Sequence, residues 1–148
     1  MTKSSLYHYR ECGLDNIYLV NGFELVETPR GQGALIKDVP GLHRAIGQML
    51  VREKKALSGR EFRFLRHELN LTQQSLAAIM RVDTQTVARW EKRGTEEVDG
   101  PASSLIRVMY EEKINGNRDI IEPLQKLAEL DEILELDDVA FEFEDQET

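Results

Sequence analysis

Leu71-Thr72-Gln73-Gln74-Ser75-Leu76-Ala77-Ala78-Ile79-Met80-Arg81-Val82-Asp83-Thr84-Gln85-Thr86-Val87-Ala88-Arg89-Trp90-Glu91 decides the fold. Thr72 and Asp83 each stand just before a short run with helical apolar spacing, where a hydroxyl or carboxylate accepts from an otherwise orphaned helix N–H. The stretch therefore reads as two short helices joined by a three-residue turn. Leu76, Ile79, Val82, Val87 and Trp90 fall where they converge on one small core, and Ala77 is small enough for the helices to cross closely. Thr84, Gln85, Thr86, Arg89 and Lys92 are left facing outward on the second helix. That face is short and hydrogen-bonding at its start and cationic further along. It fits the major groove of double-stranded DNA, where Gln reads adenine and Arg reads guanine or holds phosphate. The competing reading of the same face is a solvated helix surface.

Outward from this stretch the signals stay helical. Ser58-Gly59-Arg60-Glu61 is a capping box, followed by a Phe62, Leu65, Leu69 stripe with Phe64 beside it. Asn70 ends that helix and Gly94 the one at 83–92. Gly100-Pro101 opens a further helix with Leu105, Ile106, Val108 and Met109 as its apolar positions. Asn115-Gly116-Asn117 reads as a turn, and 119–136 as an amphipathic helix carrying Ile120, Leu124, Leu127, Leu130 and Leu134, with Pro123 in its first turn. Upstream, Leu42, Ile46, Met49 and Leu50 share a helix face, with Arg52, Lys54 and Lys55 at its end. The N-terminal part is different. Asn21-Gly22 between Asn16–Val20 and Phe23–Glu27 predicts a β-hairpin. Pro29, Gly31 and Gly33 read as a loop, and Ala34-Leu35-Ile36 as a third strand.

The chain has 148 residues and a net charge of −8. That total hides its distribution: residues 41–93 carry a net +6, whereas residues 128–148 hold ten acids and no base. A basic middle suits a polyanion. The acidic end reads as solvated, although Val139, Phe141 and Phe143 at period two suggest a strand that docks on the N-terminal sheet or on a partner, or an acidic cover over the basic face. No apolar run approaches the ~18 residues of a membrane span, and no signal peptide is legible, so the expectation is a cytoplasmic protein with no membrane partner. The one cysteine, Cys12, excludes a disulfide framework and any multi-cysteine zinc site. His8, Cys12 and His43 fall short of the four ligands of a closed structural zinc site, so no metal is expected. No acid, base or oxyanion element is arranged around a nucleophile, and Arg30-Gly31-Gln32-Gly33 lacks the lysine and following helix of a phosphate loop. Neither an enzyme nor a cofactor is expected.

Over about residues 57–93 the chain resembles the XRE (lambda-repressor-like) helix-turn-helix family. The resemblance implies that Thr72 and Gln73 open the phosphate-positioning helix, with Gln73 also bracing the recognition helix. It implies that Thr84, Gln85, Thr86 and Arg89 face base edges, and that Arg66 and Glu91 form a structural ion pair between the first and third helices. Two positions depart from the family. Arg81 stands where the turn usually has glycine, and either alters the turn or reaches a phosphate; Ser75 stands where an acid is usual. The layout as a whole is similar to zinc-less relatives of the MqsA antitoxin family. In that family an N-terminal module, normally a four-cysteine zinc fold, binds a toxin, and a C-terminal domain dimerises on an operator.

The expected architecture is mainly α: a β-containing element at 1–40, a connecting helix at 41–57, an XRE domain at 58–118, and an amphipathic helix with an acidic tail at 119–148. The expected function is transcriptional autorepression by a homodimer on a palindromic operator. Apolar residues of the 101–113 helix, with Leu124, Leu127 and Leu134, are candidate dimer contacts. The alternative is an antitoxin or adaptor that binds a toxin or other protein through the N-terminal element or the tail, with DNA binding secondary.

Overall fold

The computed structural model describes residues 6–54, 56–116, 120–133 and 140–144. In chain order these form β1 (Tyr7–Tyr9), β2 (Ile17–Leu19), β3 (Phe23–Thr28), β4 (Gly31–Ile36), α1 (Val39–Glu53), α2 (Gly59–Glu68), α3 (Gln73–Met80), α4 (Thr84–Lys92), α5 (Gly100–Ile114) and α6 (Ile121–Ile133). The chain is mainly helical with a small β part.

The β part differs from the expected pairing. β1 pairs antiparallel with β2, Tyr9 opposite Ile17, and β3 with β4, Phe23 opposite Ile36, so there are two separate two-stranded sheets. β2 and β3 are not partners. Asn21-Gly22 joins the two hairpins; Gly22 takes a φ of +78°, and its carbonyl accepts from the Lys37 N–H at 3.0 Å. Asn21 has no positive φ, so the type I′ turn that Asn-Gly favours between paired strands is not formed, and Asn-Gly does not specify which strands it separates. Side-chain burial decides that: Tyr9 and Leu19 enter the core, His8 stacks on Tyr18, and Tyr7 meets Phe23. Gly31 and Gly33 lie in β4, of which Ala34–Ile36 is the second half, and the turn is made at Pro29-Arg30. There the Thr28 hydroxyl donates to the Gly31 carbonyl at 2.6 Å.

α1 starts before Leu42, because the Asp38 carboxylate accepts from the Gly41 N–H at 3.0 Å and Pro40 fits the first turn. At its basic end Arg52 pairs with Glu111 and Lys54 with Glu61, and Lys55 lies outside the described residues. Ile46, Leu50 and Val51 of α1 join Leu57, Phe62, Leu65, Leu76, Val87 and Ile106 in one core. The β part is tied on through side chains. The Tyr9 hydroxyl meets His43 Nε2 at 2.7 Å, His43 Nδ1 meets Glu68 at 3.2 Å, and Arg60 donates to Asp15 at 2.7 Å. Cys12 and His43 line one cleft and His8 is directed elsewhere; among the described residues no three His, Cys, Asp or Glu side chains are grouped to hold a metal ion. His8 Nε2 sits 2.7 Å from the Asp15 carbonyl, and Cys12 is half-buried, with its thiol pKa pushed up by burial.

α6 carries Pro123 in its first turn and lays Ile121 and Leu124 against the core, while Leu127 is 62% exposed. Asn117, Leu134, Val139 and the ends expected for this helix at 119 and 134–136 lie outside the described residues. Residues 140–144 form no strand, and Phe141 and Phe143 are 87% and 90% exposed, so these aromatics do not dock on the N-terminal sheet. Among the described residues, no helix is long and apolar enough to cross a membrane.

Candidate nucleic-acid interface

α2, α3 and α4 are each fixed by a side-chain cap. The Ser58 hydroxyl accepts from the Glu61 N–H, and the Glu61 carboxylate accepts from the Ser58 N–H at 2.9 Å. The Thr72 hydroxyl accepts from the Ser75 N–H and donates to the Ser75 hydroxyl, both at 3.0 Å. Ser75 thus supplies a local partner to the cap where an acid would have reached back. Asp83 accepts from the Thr86 N–H at 2.8 Å and from its hydroxyl at 2.7 Å.

The turn between α3 and α4 is closed in the manner of a Schellman motif. The Arg81 N–H donates to Ala78 and the Val82 N–H to Ala77, while Arg81 itself is left-handed, with φ 61° and ψ 41°. The turn keeps its shape without the glycine; the cost is moved onto an L-residue in a conformation that glycine takes freely. The Arg81 side chain is exposed beside α4.

Beneath the turn, Leu76 and Val87 are fully buried, and Trp90 packs edge-on to Phe62 with ring centres 5.7 Å apart. Ile79 and Val82 are partly buried against the same core. One buried polar cluster locks α4 to α2 and α3. Arg66 donates to the two Glu91 oxygens at 2.6 and 2.9 Å and to the Leu71 carbonyl at 2.9 Å. The Gln73 amide donates to Glu91 at 3.1 Å. Gln73 therefore braces α4, which leaves one of its N–H groups for a ligand. Arg63 approaches the same carboxylate at 4.0 Å.

The outer face of α4 carries Thr84, Gln85, Arg89 and Lys92, all exposed. Thr86 is partly buried and committed to its neighbours: it donates to Asp83, and Arg89 Nη2 donates to its hydroxyl at 3.2 Å. Asp83, Thr86 and Arg89 thus form one chain of hydrogen bonds along α4. The Thr86 hydroxyl beside Asp83 holds its carboxyl below the usual value, helped by the Thr86 backbone and Arg89. Of the outward residues read from the sequence, Thr84, Gln85, Arg89 and Lys92 face solvent, and Thr86 acts by orienting Arg89. The only sequence signal for that role is the three-residue spacing of Thr86 from Asp83 and from Arg89. Arg60, at the start of α2, is spent on Asp15 of the β part.

On α5 the candidate dimer contacts divide. Ile106 and Met109 are buried in the chain's own core, whereas Val108 is 58% exposed. Among the α6 candidates Leu127 is exposed and Leu124 is partly covered. No protein-family model, curated protein or solved structure matches the chain.

Proposed function

We propose that this protein is a sequence-specific DNA-binding transcriptional regulator in which α3 and α4 form a helix-turn-helix of the XRE kind. One observation carries the reading. α4 is anchored from below by a buried bidentate ion pair and presents Thr84, Gln85, Arg89 and Lys92 outward on a face with no role in the fold. A helix held that rigidly can place side chains against base edges, which a merely solvated face does not require. Gln85 and Arg89 read bases. Thr72, the free N–H of Gln73, Arg81 and Lys92 hold phosphates. Val108 and Leu127 supply apolar contact for a homodimer, which would set two α4 helices about one DNA turn, ~34 Å, apart on a palindromic operator. The natural target is the DNA upstream of the protein's own gene, with repression as the outcome.

Binding of the full chain to that DNA and to a scrambled fragment, across a salt series, tests this. Preference for the upstream DNA with a steep salt slope is expected. Equal, weak binding to both by the full chain and by a chain lacking residues 128–148 overturns it.

A second reading, an adaptor or antitoxin, is favoured by the apolar residues that the β part leaves open. Val20, Leu25 and Leu35 are each more than half exposed. Such surface is the usual mark of a protein contact. Retention of a toxin encoded beside this gene, lost with Leu25→Asp and Leu35→Asp, is the outcome that would favour it.

A further inference from the structure

Gly47 sits in the middle of α1, where a glycine weakens a helix relative to alanine. Its place is explained by α5. A Cβ there would fall 2.1 Å from the Tyr110 hydroxyl oxygen and 2.3 Å from Cζ. The phenol of Tyr110 therefore passes directly over the α1 backbone, and no other residue type leaves it room. Tyr110 is 3% exposed, and its hydroxyl hydrogen-bonds to no other described residue; no buried side-chain oxygen or nitrogen among the described residues lacks a partner, so this hydroxyl reaches solvent. A glycine on α1 and a tyrosine on α5 thus deliver one hydroxyl to one place.

That place is a cleft of about 1000 Å³ bounded by the start of α1, the end of α2 and the end of α5. Tyr110 lines it together with Arg44 and Gln48 from α1, His67 and Glu68 from α2, and Lys113 from α5. Arg44 lies one turn before Gly47 and makes no ion pair among the described residues. Lys113 spends one N–H on the Glu68 carbonyl at 2.6 Å and has two more. The Glu68 carboxylate is already engaged with His43. Burial, then Arg66 and Arg63, hold His67 below its ordinary pKa, so it adds no strong charge near neutrality. Burial, then Glu68, raise the Tyr110 pKa to about 12 against the opposing pull of Arg44, so the phenol keeps its proton and is a donor.

The uncommitted groups are thus mostly donors, two of them cationic, and they need an acceptor-rich, negatively charged partner. Val39 and Ile114 on the same walls provide apolar surface for a carbon skeleton. We propose that this cleft binds a small organic anion, whose carboxylate or phosphate group is held by Arg44, Tyr110 and Lys113. The ligand would bridge α1 and α5 across Gly47 and take the place of solvent at the Tyr110 hydroxyl. The site lies away from the outer face of α4, and its occupancy does not depend on the DNA-binding reading.

The test is calorimetric titration of the full chain, without DNA, with two probe series: acetate, benzoate and citrate, and inorganic phosphate with phenyl phosphate. The proteins are the wild type, Arg44→Gln, Tyr110→Phe and the distant control Arg30→Gln. Saturable one-site binding by members of one series is expected, and the series that binds identifies the acid group. Loss of a charge-assisted bond should weaken it about tenfold in Arg44→Gln. Tyr110→Phe should weaken it several-fold while melting no lower than wild type without ligand, because the phenol has no partner to lose. Arg30→Gln should bind like the wild type. Absence of saturable binding by both series, or binding of equal strength in wild type, Arg44→Gln and Tyr110→Phe, overturns the proposal.

Discussion

The guanidinium of Arg66 and the carboxylate of Glu91, on α2 and α4, meet through two parallel N–H···O bonds while both residues are more than nine-tenths buried. Removing one partner strands the other charge in the core. Glu91→Ala should therefore cost about 3–5 kcal/mol, far more than an exposed pair. Urea unfolding of Glu91→Ala, Arg66→Met and the double variant measures it. The double variant should be more stable than Glu91→Ala alone, because no charge is left unpaired.

The left-handed Arg81 gives an effect of opposite sign. Arg81→Gly removes a side chain strained at φ 61° and should raise stability by about 1 kcal/mol. Under the proposed function the same change weakens DNA binding for all sequences alike and lowers the salt slope by about one. A variant that is both less stable and unchanged in salt slope would sink this account of the turn.

Arg89 should behave differently from Arg81. Arg89→Ala should cost about 1–3 kcal/mol of operator binding and relax preference at one base position. Thr86→Val, which deletes the hydroxyl that holds Arg89, should produce a weaker version of the same change in a base-preference assay. If Thr86→Val changes affinity for every sequence equally, the orienting role is wrong.

The caps that set these helices were legible in the sequence, because Ser58 with Glu61, Thr72 and Asp83 act on backbone N–H groups within a few residues. The Arg66–Glu91 link was reached through resemblance alone, since nothing local joins residues 25 apart. Strand pairing was not legible. Asn21-Gly22 marks a turn but cannot report that Leu19 faces Tyr7 rather than a residue of β3. β1, at three residues, is too short to show a period. Gly47 gave no signal either, because its reason is a tyrosine 63 positions away, on another helix.

Acid should act on α4 through its cap. The Asp83 carboxyl titrates below its ordinary value of 3.8 in the folded chain. Its contribution is therefore fully present above that pH and is lost as pH falls through the lowered folded value. Thermal melts from neutrality to about pH 3 should show wild type losing stability over that last interval more steeply than Asp83→Asn, whose amide still caps but does not titrate. Parallel curves would remove Asp83 as the cause.

Both hairpins close between near neighbours in sequence, and among the described residues no backbone hydrogen bond joins positions 6–37 to the helices beyond α1's own cap. Each hairpin can therefore form on the microsecond scale of local closure, while the chain is still being made. Its docking must wait for synthesis to reach His43 and Arg60, which Tyr9 and Asp15 engage. The β part is thus assembled early and seated late. Until it is seated, the inner face around Tyr9 and Leu19 is open to the translating cell, and the interval is set by elongation rate rather than by the folding of either hairpin.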